Sequence, residues 1–187
     1  MIAITIHSIS DQDLVKKYII GHESSLEELI QRHKTKIYTS IYLLVKDSYL
    51  AEDIFQDTFI KVINTLKAGR YNEEGKFLPW VIRIAHNLVI DHFRKEKRKP
   101  LVTTVDGFDI FELIKFYDDS TEDKIIREQT HKDLRELIHH LPSDQKEVLI
   151  MRHFGELSFK EISDITGVSI NTALGRMRYA LNNLRKM

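Results

Sequence analysis

Apolar residues recur at helical spacing along nearly all of the 187 residues, and this pattern restricts the possible folds more than any other feature of the chain. Alternating runs rich in valine and isoleucine, which a half-buried strand requires, do not stand out. The pattern therefore predicts an all-α protein. Its breaks divide the chain into two small helical domains, residues 1–100 and 121–187, joined by an acidic linker at residues 101–120.

The first domain is predicted to contain four helices, whose ends follow from capping residues and helix breakers. Ser10 opens a short helix that stops near Gly21, and the second helix begins near Ser24 or Ser25. Asp47-Ser48 starts the third helix. A polar loop bounded by glycines then precedes the fourth helix, and a proline occupies the first turn of that helix, where its missing N–H costs nothing.

The second domain is predicted to end in a helix-turn-helix within residues 141–187. Ser143 is expected to cap one helix, and a capping box of Ser158 and Glu161 opens the next. A turn at Gly167 and an N-cap at Ser169 then introduce the last helix. Two helices joined in this way can place side chains of the second helix on DNA base edges. The alternative is an ordinary surface helix of a helical bundle.

The last helix is predicted to have one apolar and one polar face. The apolar face, expected to point inward, consists of Ile170, Ala173, Leu174, Met177, Leu181 and Leu184. The opposite face consists of Thr172, Gly175, Arg176, Tyr179, Asn182 and Asn183. Glycine inside a helix costs about 1 kcal/mol relative to alanine. Gly175 therefore indicates either a close approach of the backbone to a ligand or simple tolerance of glycine.

The formal net charge of zero conceals two basic patches separated by an acidic segment. Residues 94–99 are basic, and so is the stretch from 168 to 187, whereas the acids between them cluster at residues 106–123. Both patches suit phosphate contacts, but weak overall charge predicts poor DNA binding without a partner. No apolar run approaches the roughly 20 residues that span a bilayer, no secretory signal is recognisable and cysteine is absent, so we expect a cytoplasmic protein without membrane insertion.

Motifs from both predicted domains resemble the extracytoplasmic-function (ECF) group of bacterial RNA polymerase sigma factors. The first half of the resemblance is carried by residues 51–59 (AEDIFQDTF) and 77–94 (FLPWVIRIAHNLVIDHFR). The second half is carried by residues 141–149 (LPSDQKEVL), 160–162 (KEI) and 171–176 (NTALGR). The resemblance extends from Leu14 to Leu184 and implies a region-two-like domain, a linker and a region-four-like helix-turn-helix domain.

The resemblance implies three binding surfaces. The third helix would contact core RNA polymerase through Glu52, Asp53, Gln56 and Asp57, although a solvated helix face is the alternative. The minus-ten promoter element would be recognised and melted by Tyr71, Asn72, Asn87, Asp91, Arg94, Lys95, Lys97 and Arg98. The minus-thirty-five element would be read by Ser169, Asn171, Thr172, Gly175, Arg176, Arg178 and Tyr179. The family often has arginine at the position of Leu174 and a basic residue near Tyr179, so this departure affects the expected base preference.

The expected partners are core RNA polymerase and promoter DNA, with an anti-sigma factor as an open further partner and a monomer as the free state. A two-component or quorum-type regulator is a weaker alternative, because the first hundred residues lack the alternating strands and helices of a receiver domain. A sigma-like mimic that binds only an anti-sigma partner is another. Neither a cofactor nor catalysis is expected, because no phosphate loop, serine elbow or zinc-binding His-Glu-x-x-His motif accompanies the nine histidines.

Overall fold

The computed structural model describes residues 9–72, 74–96, 134 and 136–187, and all regular structure in these ranges is helical. The helices are α1 (Asp11–Ile19), α2 (Glu23–Val45), α3 (Ser48–Lys67), α4 (Phe77–Glu96), α5 (Ser143–His153), α6 (Phe159–Thr166) and α7 (Ile170–Leu184). Residues 136–140 are helical as well. The all-α prediction is therefore confirmed. The predicted linker at residues 101–120 lies outside the described residues.

Side-chain caps set the starts of α1 and α3 where the sequence predicts them. The Ser10 hydroxyl accepts a hydrogen bond from the backbone N–H of Asp13, and the Asp47 carboxylate accepts from the N–H groups of Tyr49 and Leu50. Each cap satisfies backbone donors that a helix start leaves without an intrahelical acceptor. The second helix begins at Glu23, one or two residues before its predicted start, and has no side-chain cap.

Helices α1 to α4 form a compact group, here called the N-terminal bundle, with α2 packed against the other three. Leu29, Ile37 and Ile41 of α2 are almost completely buried, as are Val62 of α3 and Val81 of α4. Burying one such side chain contributes about 1.5–3 kcal/mol. The apolar stripe of α2 therefore supplies the centre against which α3 and α4 are positioned.

Residues 136–187, here called the C-terminal unit, follow the predicted capping pattern with one exception. Pro142 occupies the N-cap of α5, so Ser143 is the first helical residue and not the predicted cap. Proline fixes φ near the helical value and its ψ is extended here, so the helix starts directly after it. The Ser158–Glu161 capping box, the left-handed Gly167 and the Ser169 cap are confirmed.

One apolar core joins the N-terminal bundle to the C-terminal unit. Phe77 and Ile82 of α4 belong to the same buried cluster as Met151, Leu157 and Ile162. A smaller cluster surrounds Leu43 of α2 and includes buried residues of the C-terminal unit. Because both clusters cross from one unit to the other, α2 and α4 determine where the helix-turn-helix lies.

Gly155 marks the tightest point of this junction. A Cβ atom at residue 155 would lie 2.4 Å from Leu157 Cδ1, 2.8 Å from the Met151 carbonyl oxygen and 3.0 Å from Ile82 Cγ2. The carbonyl belongs to the backbone and cannot move aside as a flexible side chain could. Only glycine therefore fits here without a shift of the chain.

We predict that Gly155→Ala lowers the free energy of unfolding by about 1–3 kcal/mol, because the added methyl group overpacks the junction. Gly175→Ala is the matched control, since no heavy atom lies within 4 Å of its added Cβ. Alanine should stabilise that helical position by roughly 0.5–1 kcal/mol. Urea denaturation of both variants measures the two changes. A Gly155→Ala protein as stable as the wild type would contradict the packing argument.

Candidate functional site

The outward face of α7 is polar near the start of the helix. The Ser169 hydroxyl caps α7 by accepting from the backbone N–H of Thr172, and the two side-chain hydroxyls are 2.9 Å apart. Asn171, Arg178 and Tyr179 are exposed, and the Arg178 guanidinium lies 5.7 Å from the centre of the Tyr179 ring. These residues of the predicted DNA-reading set are therefore accessible on one helix.

Two members of the predicted reading set are less accessible. Gly175 and Arg176 are half-buried. Arg176 Nε lies 3.2 Å from Asp144 Oδ2 of α5, and the Asn183 amide donates a hydrogen bond to Gln145 of α5. Arg176 thus ties α7 to α5, a structural role that the sequence analysis did not assign to it.

The predicted inward face of α7 is wrong in part. Ala173 is fully buried and Met177 and Leu184 are half-buried, as predicted, but Ile170, Leu174 and Leu181 are 44%, 44% and 43% exposed. The helix packs through Ala173 and Ala180, whose small side chains permit a close approach to the rest of the C-terminal unit. A helical wheel centred on the largest apolar residues therefore places the buried face at the wrong angle.

The loop before α4 and the outward side of α4 form a second exposed surface. Tyr71 packs against Trp80 with ring centres 4.2 Å apart, and Asn72 donates a hydrogen bond of 2.8 Å to Glu74. Asn87, Asp91, Arg94 and Lys95 are exposed along α4 as predicted, and Arg94 lies 3.5 Å from Asp91. Lys97 and Arg98 lie outside the described residues. Trp80 is half-buried, and its ring contacts those of Tyr71 and Phe77.

A cleft of about 410 Å³ separates this loop from α6. Arg70, Tyr71 and Arg83 line one side, and Lys160 and Asp164 line the other. The lining combines the rings of Tyr71 and Trp80 with four cationic side chains (Arg70, Lys76, Arg83 and Lys160) and three acids (Glu74, Glu161 and Asp164). Aromatic and cationic groups together can hold an unpaired base and its phosphate. Tyr71 was predicted for this site, but the side chains of the C-terminal unit were not, because they are distant along the chain.

Two ion pairs and one hydrogen-bonded histidine–carboxylate pair hold the two units together, and each acid comes from the C-terminal unit. The pairs are Lys36–Glu156, Lys76–Glu161 at 2.9 Å and His86–Glu147 at 2.5 Å. The His86 ring is buried, and its contact with Glu147 was not predicted from the sequence. The pairs join residues separated by 61 to 120 positions, so local patterns could not identify them. The charges of the two units are therefore complementary at the junction.

The exposed face of α3 carries the residues predicted to meet a protein partner. Asp53, Gln56 and Asp57 are exposed, and Glu52 is half-buried and accepts a hydrogen bond of 3.2 Å from Gln56. Two large side chains that the sequence analysis omitted, Tyr49 and Ile60, are also exposed on α3, by 68% and 54%. Isolated exposed apolar residues are common on protein surfaces. Asp53, Gln56 and Ile60, however, follow Tyr49 by 4, 7 and 11 residues, a spacing that places all four side chains on one side of the helix.

The pKa of Glu161 is lowered in the folded protein, so the stability of the fold is expected to depend on pH. Partial burial alone would raise its pKa, but hydrogen bonds from Lys76 and from Ser158 outweigh burial and lower the pKa to about 2. A carboxylate whose pKa is lower in the folded state stabilises the fold above its unfolded pKa. That contribution is lost as the pH falls towards the folded value.

We expect Glu161→Gln to keep the capping box, since glutamine serves there too, but to lose the charge. Solvent screening limits the effect, so the melting temperature at pH 7 should fall by roughly 2–4 °C. The difference from the wild type should shrink as the pH falls from 4.5 towards 2. Calorimetry at several pH values measures it, with Glu27→Gln on α2 as the control. A difference that does not depend on pH would contradict the assigned charge.

Two family models match the chain, and known proteins are similar to it over most of its length. Residues 29–99 match Sigma-70 region 2, and residues 131–182 match Sigma-70, region 4. The RNA polymerase sigma factor SigV of Bacillus subtilis is 31% identical over 156 residues, which cover 83% of this chain and 86% of SigV. The chain belongs to the ECF group of RNA polymerase sigma factors. The ECF RNA polymerase sigma factor SigW of B. subtilis is 27% identical over 92% of this sigma factor and 93% of SigW.

Solved structures share the fold of this sigma factor. RpoE of Bartonella quintana, in complex with the anti-sigma factor NepR, has a TM-score of 0.64 and 18% identity, with 86% of this chain and 94% of that chain covered. CnrH, in complex with the cytosolic domain of CnrY, has a TM-score of 0.61 and 18% identity, with 94% and 95% covered. These similarities support the described arrangement of helices.

Two structural findings apply to the described part of the sigma factor. None of its helices is long and apolar enough to cross a membrane. Among the same residues, no group of three histidine, cysteine, aspartate or glutamate side chains is placed to hold a metal ion.

Proposed function

We propose that this sigma factor binds core RNA polymerase and directs it to a specific set of promoters, where it recognises and melts DNA to begin transcription. The observation that carries the proposal is the match to sigma regions 2 and 4, in that order, along one chain. The proposed domains are residues 1–100 and 121–187, with residues 101–120 as the linker. Because core polymerase acts in the cytoplasm, the protein acts there too.

The polymerase-binding surface of this proposal is the exposed side of α3. Its polar residues are Glu52, Asp53, Gln56 and Asp57. An acidic surface attracts basic side chains of a partner over a distance. Tyr49 and Ile60, exposed beside these acids, add the apolar area that a protein interface needs in its centre.

The promoter-reading surfaces lie on different units of the protein. The minus-ten residues are Tyr71, Asn72, Asn87, Asp91, Arg94, Lys95, Lys97 and Arg98, with the cleft beside Tyr71 accepting an unpaired base. The minus-thirty-five residues are Ser169, Asn171, Thr172, Gly175, Arg176, Arg178 and Tyr179. Since the chain carries no net charge, tight binding requires the polymerase to hold both surfaces on the promoter.

The proposal assigns no catalytic step and no cofactor to the chain itself, since bond formation belongs to the polymerase. The free protein is proposed to be a monomer. An anti-sigma factor is proposed as a further partner, because RpoE of Bartonella quintana, which shares this fold, was solved with the anti-sigma factor NepR bound. Release from the polymerase after initiation would return the protein to this free state.

Replacing Asp53 and Gln56 together by alanine tests the polymerase-binding surface. We expect binding to core polymerase to weaken about tenfold, which corresponds to about 1.4 kcal/mol, without a change in melting temperature. Glu27→Ala on α2 removes a similar exposed acid away from this surface and should leave the affinity unchanged. Fluorescence anisotropy of labelled protein titrated with core polymerase measures both. Equal affinities for the double variant and the wild type would contradict the assignment.

The two arginines of α7 test the promoter-reading surface in different ways. Arg178→Ala should weaken binding of the assembled polymerase complex to its promoter about tenfold and leave the stability unchanged, because Arg178 is exposed. Arg176→Ala should weaken promoter binding and also lower the melting temperature, because it leaves Asp144 without its ion pair. Neither change should affect binding to core polymerase. Loss of polymerase binding in both variants would indicate misfolding and overturn the prediction.

A further inference from the structure

Leu174 occupies an unusual position on the face of α7 that meets DNA. It lies between Asn171 and Arg178, three and four residues away along the helix, and all three side chains are exposed. Leu174 itself is 44% exposed and does not belong to either buried core cluster of the described residues. A large apolar side chain is therefore presented between two polar residues, with Ile170, which is also 44% exposed, one turn before it.

The neighbouring polar residues are restrained by contacts inside the protein. Arg176 is held by Asp144, and the hydroxyl of Thr172 lies 2.9 Å from that of Ser169. Asn171, Leu174 and Arg178 form a row along α7 at spacings of three and four residues, and all three side chains are exposed. In helix-turn-helix proteins, residues near the start of the second helix contact base edges.

Leucine has no hydrogen-bonding group, so it can distinguish bases only by shape and apolar contact. The major groove offers one apolar feature, the 5-methyl group of thymine. An exposed leucine that enters this groove therefore favours a thymine at the base pair it faces. Arginine at the same position would favour guanine, which offers two acceptors in the major groove.

We propose that Leu174 is a specificity-determining residue that reads the methyl group of a thymine in the minus-thirty-five element. The inference rests on the proposed function, because it requires α7 to enter the major groove of that element. Asn171 and Arg178 contact polar edges or phosphates on either side, and Leu174 sets the preference between them.

The test uses the full-length protein assembled with core polymerase. Selection from a pool of double-stranded DNA randomised upstream of the start site first gives the preferred minus-thirty-five element. Each thymine of that element is then replaced singly by deoxyuridine, which pairs with adenine but lacks the methyl group. Promoter affinity is measured for the wild type, Leu174→Ala and Leu181→Ala. Leu181 is the matched control, because it is equally exposed but lies in the second half of α7.

We expect one deoxyuridine substitution to weaken wild-type binding about fourfold, the effect of one methyl group buried against hydrocarbon. The same substitution should have no effect with Leu174→Ala, whereas Leu181→Ala should retain the fourfold dependence. Selection repeated with Leu174→Arg should replace thymine by guanine at that base pair. These results together would support Leu174 as the reader of this position.

Several results would overturn the inference. The first is a selected element that contains no thymine. The second is an equal loss of promoter affinity on deoxyuridine substitution in the wild type and in Leu174→Ala. The third is a promoter affinity of Leu181→Ala that no longer depends on the thymine methyl group. Weaker binding of Leu174→Ala to core polymerase with unchanged methyl dependence would instead assign the leucine to a protein contact. Failure of the wild-type complex to select any sequence would refute the proposed function itself, before deoxyuridine is used.

Discussion

The packing of the C-terminal unit against α2 and α4 fixes the position of the helix-turn-helix relative to the N-terminal bundle. Phe77 and Ile82 meet Met151 and Leu157 in one buried cluster, and Gly155 allows the chain to approach closely enough for this contact. Ion pairs surround the apolar contact, with the acids on one unit and the bases on the other. The two surfaces that we propose to bind DNA are thereby held in one arrangement.

This arrangement has a consequence for promoter binding. Lys76 follows the loop that carries Tyr71 and Asn72, and it forms an ion pair with Glu161 of the C-terminal unit. The Glu161 carboxylate therefore neutralises a cation beside the surface that we propose to bind DNA. The pKa of Lys76 is raised by its hydrogen bond with that carboxylate. DNA phosphates and Glu161 are both anionic and compete for such a cation, which agrees with the weak DNA binding expected of a neutral chain.

Local features of this fold could be predicted from the sequence because their causes are local. The caps at Ser10, Asp47, Ser158 and Ser169 act on backbone groups two or three residues away. The contacts of Lys36, Lys76 and His86 with acids of the C-terminal unit were not predicted, because the partners are at least 61 positions away along the chain. The orientation of α7 was predicted incorrectly because two alanines, and not its leucines, make the closest packing. Leu174 thus proved to be exposed, which changes the expected base preference of this helix.

Promoter-specific transcription by a reconstituted complex shows whether the protein acts as a sigma factor. Purified protein is mixed with core polymerase that lacks any sigma factor, and transcripts from fragmented DNA of the source organism are sequenced from their 5′ ends. The account predicts discrete start sites that share two upstream elements and disappear when the protein is omitted. Start sites that are the same with and without the protein would contradict it.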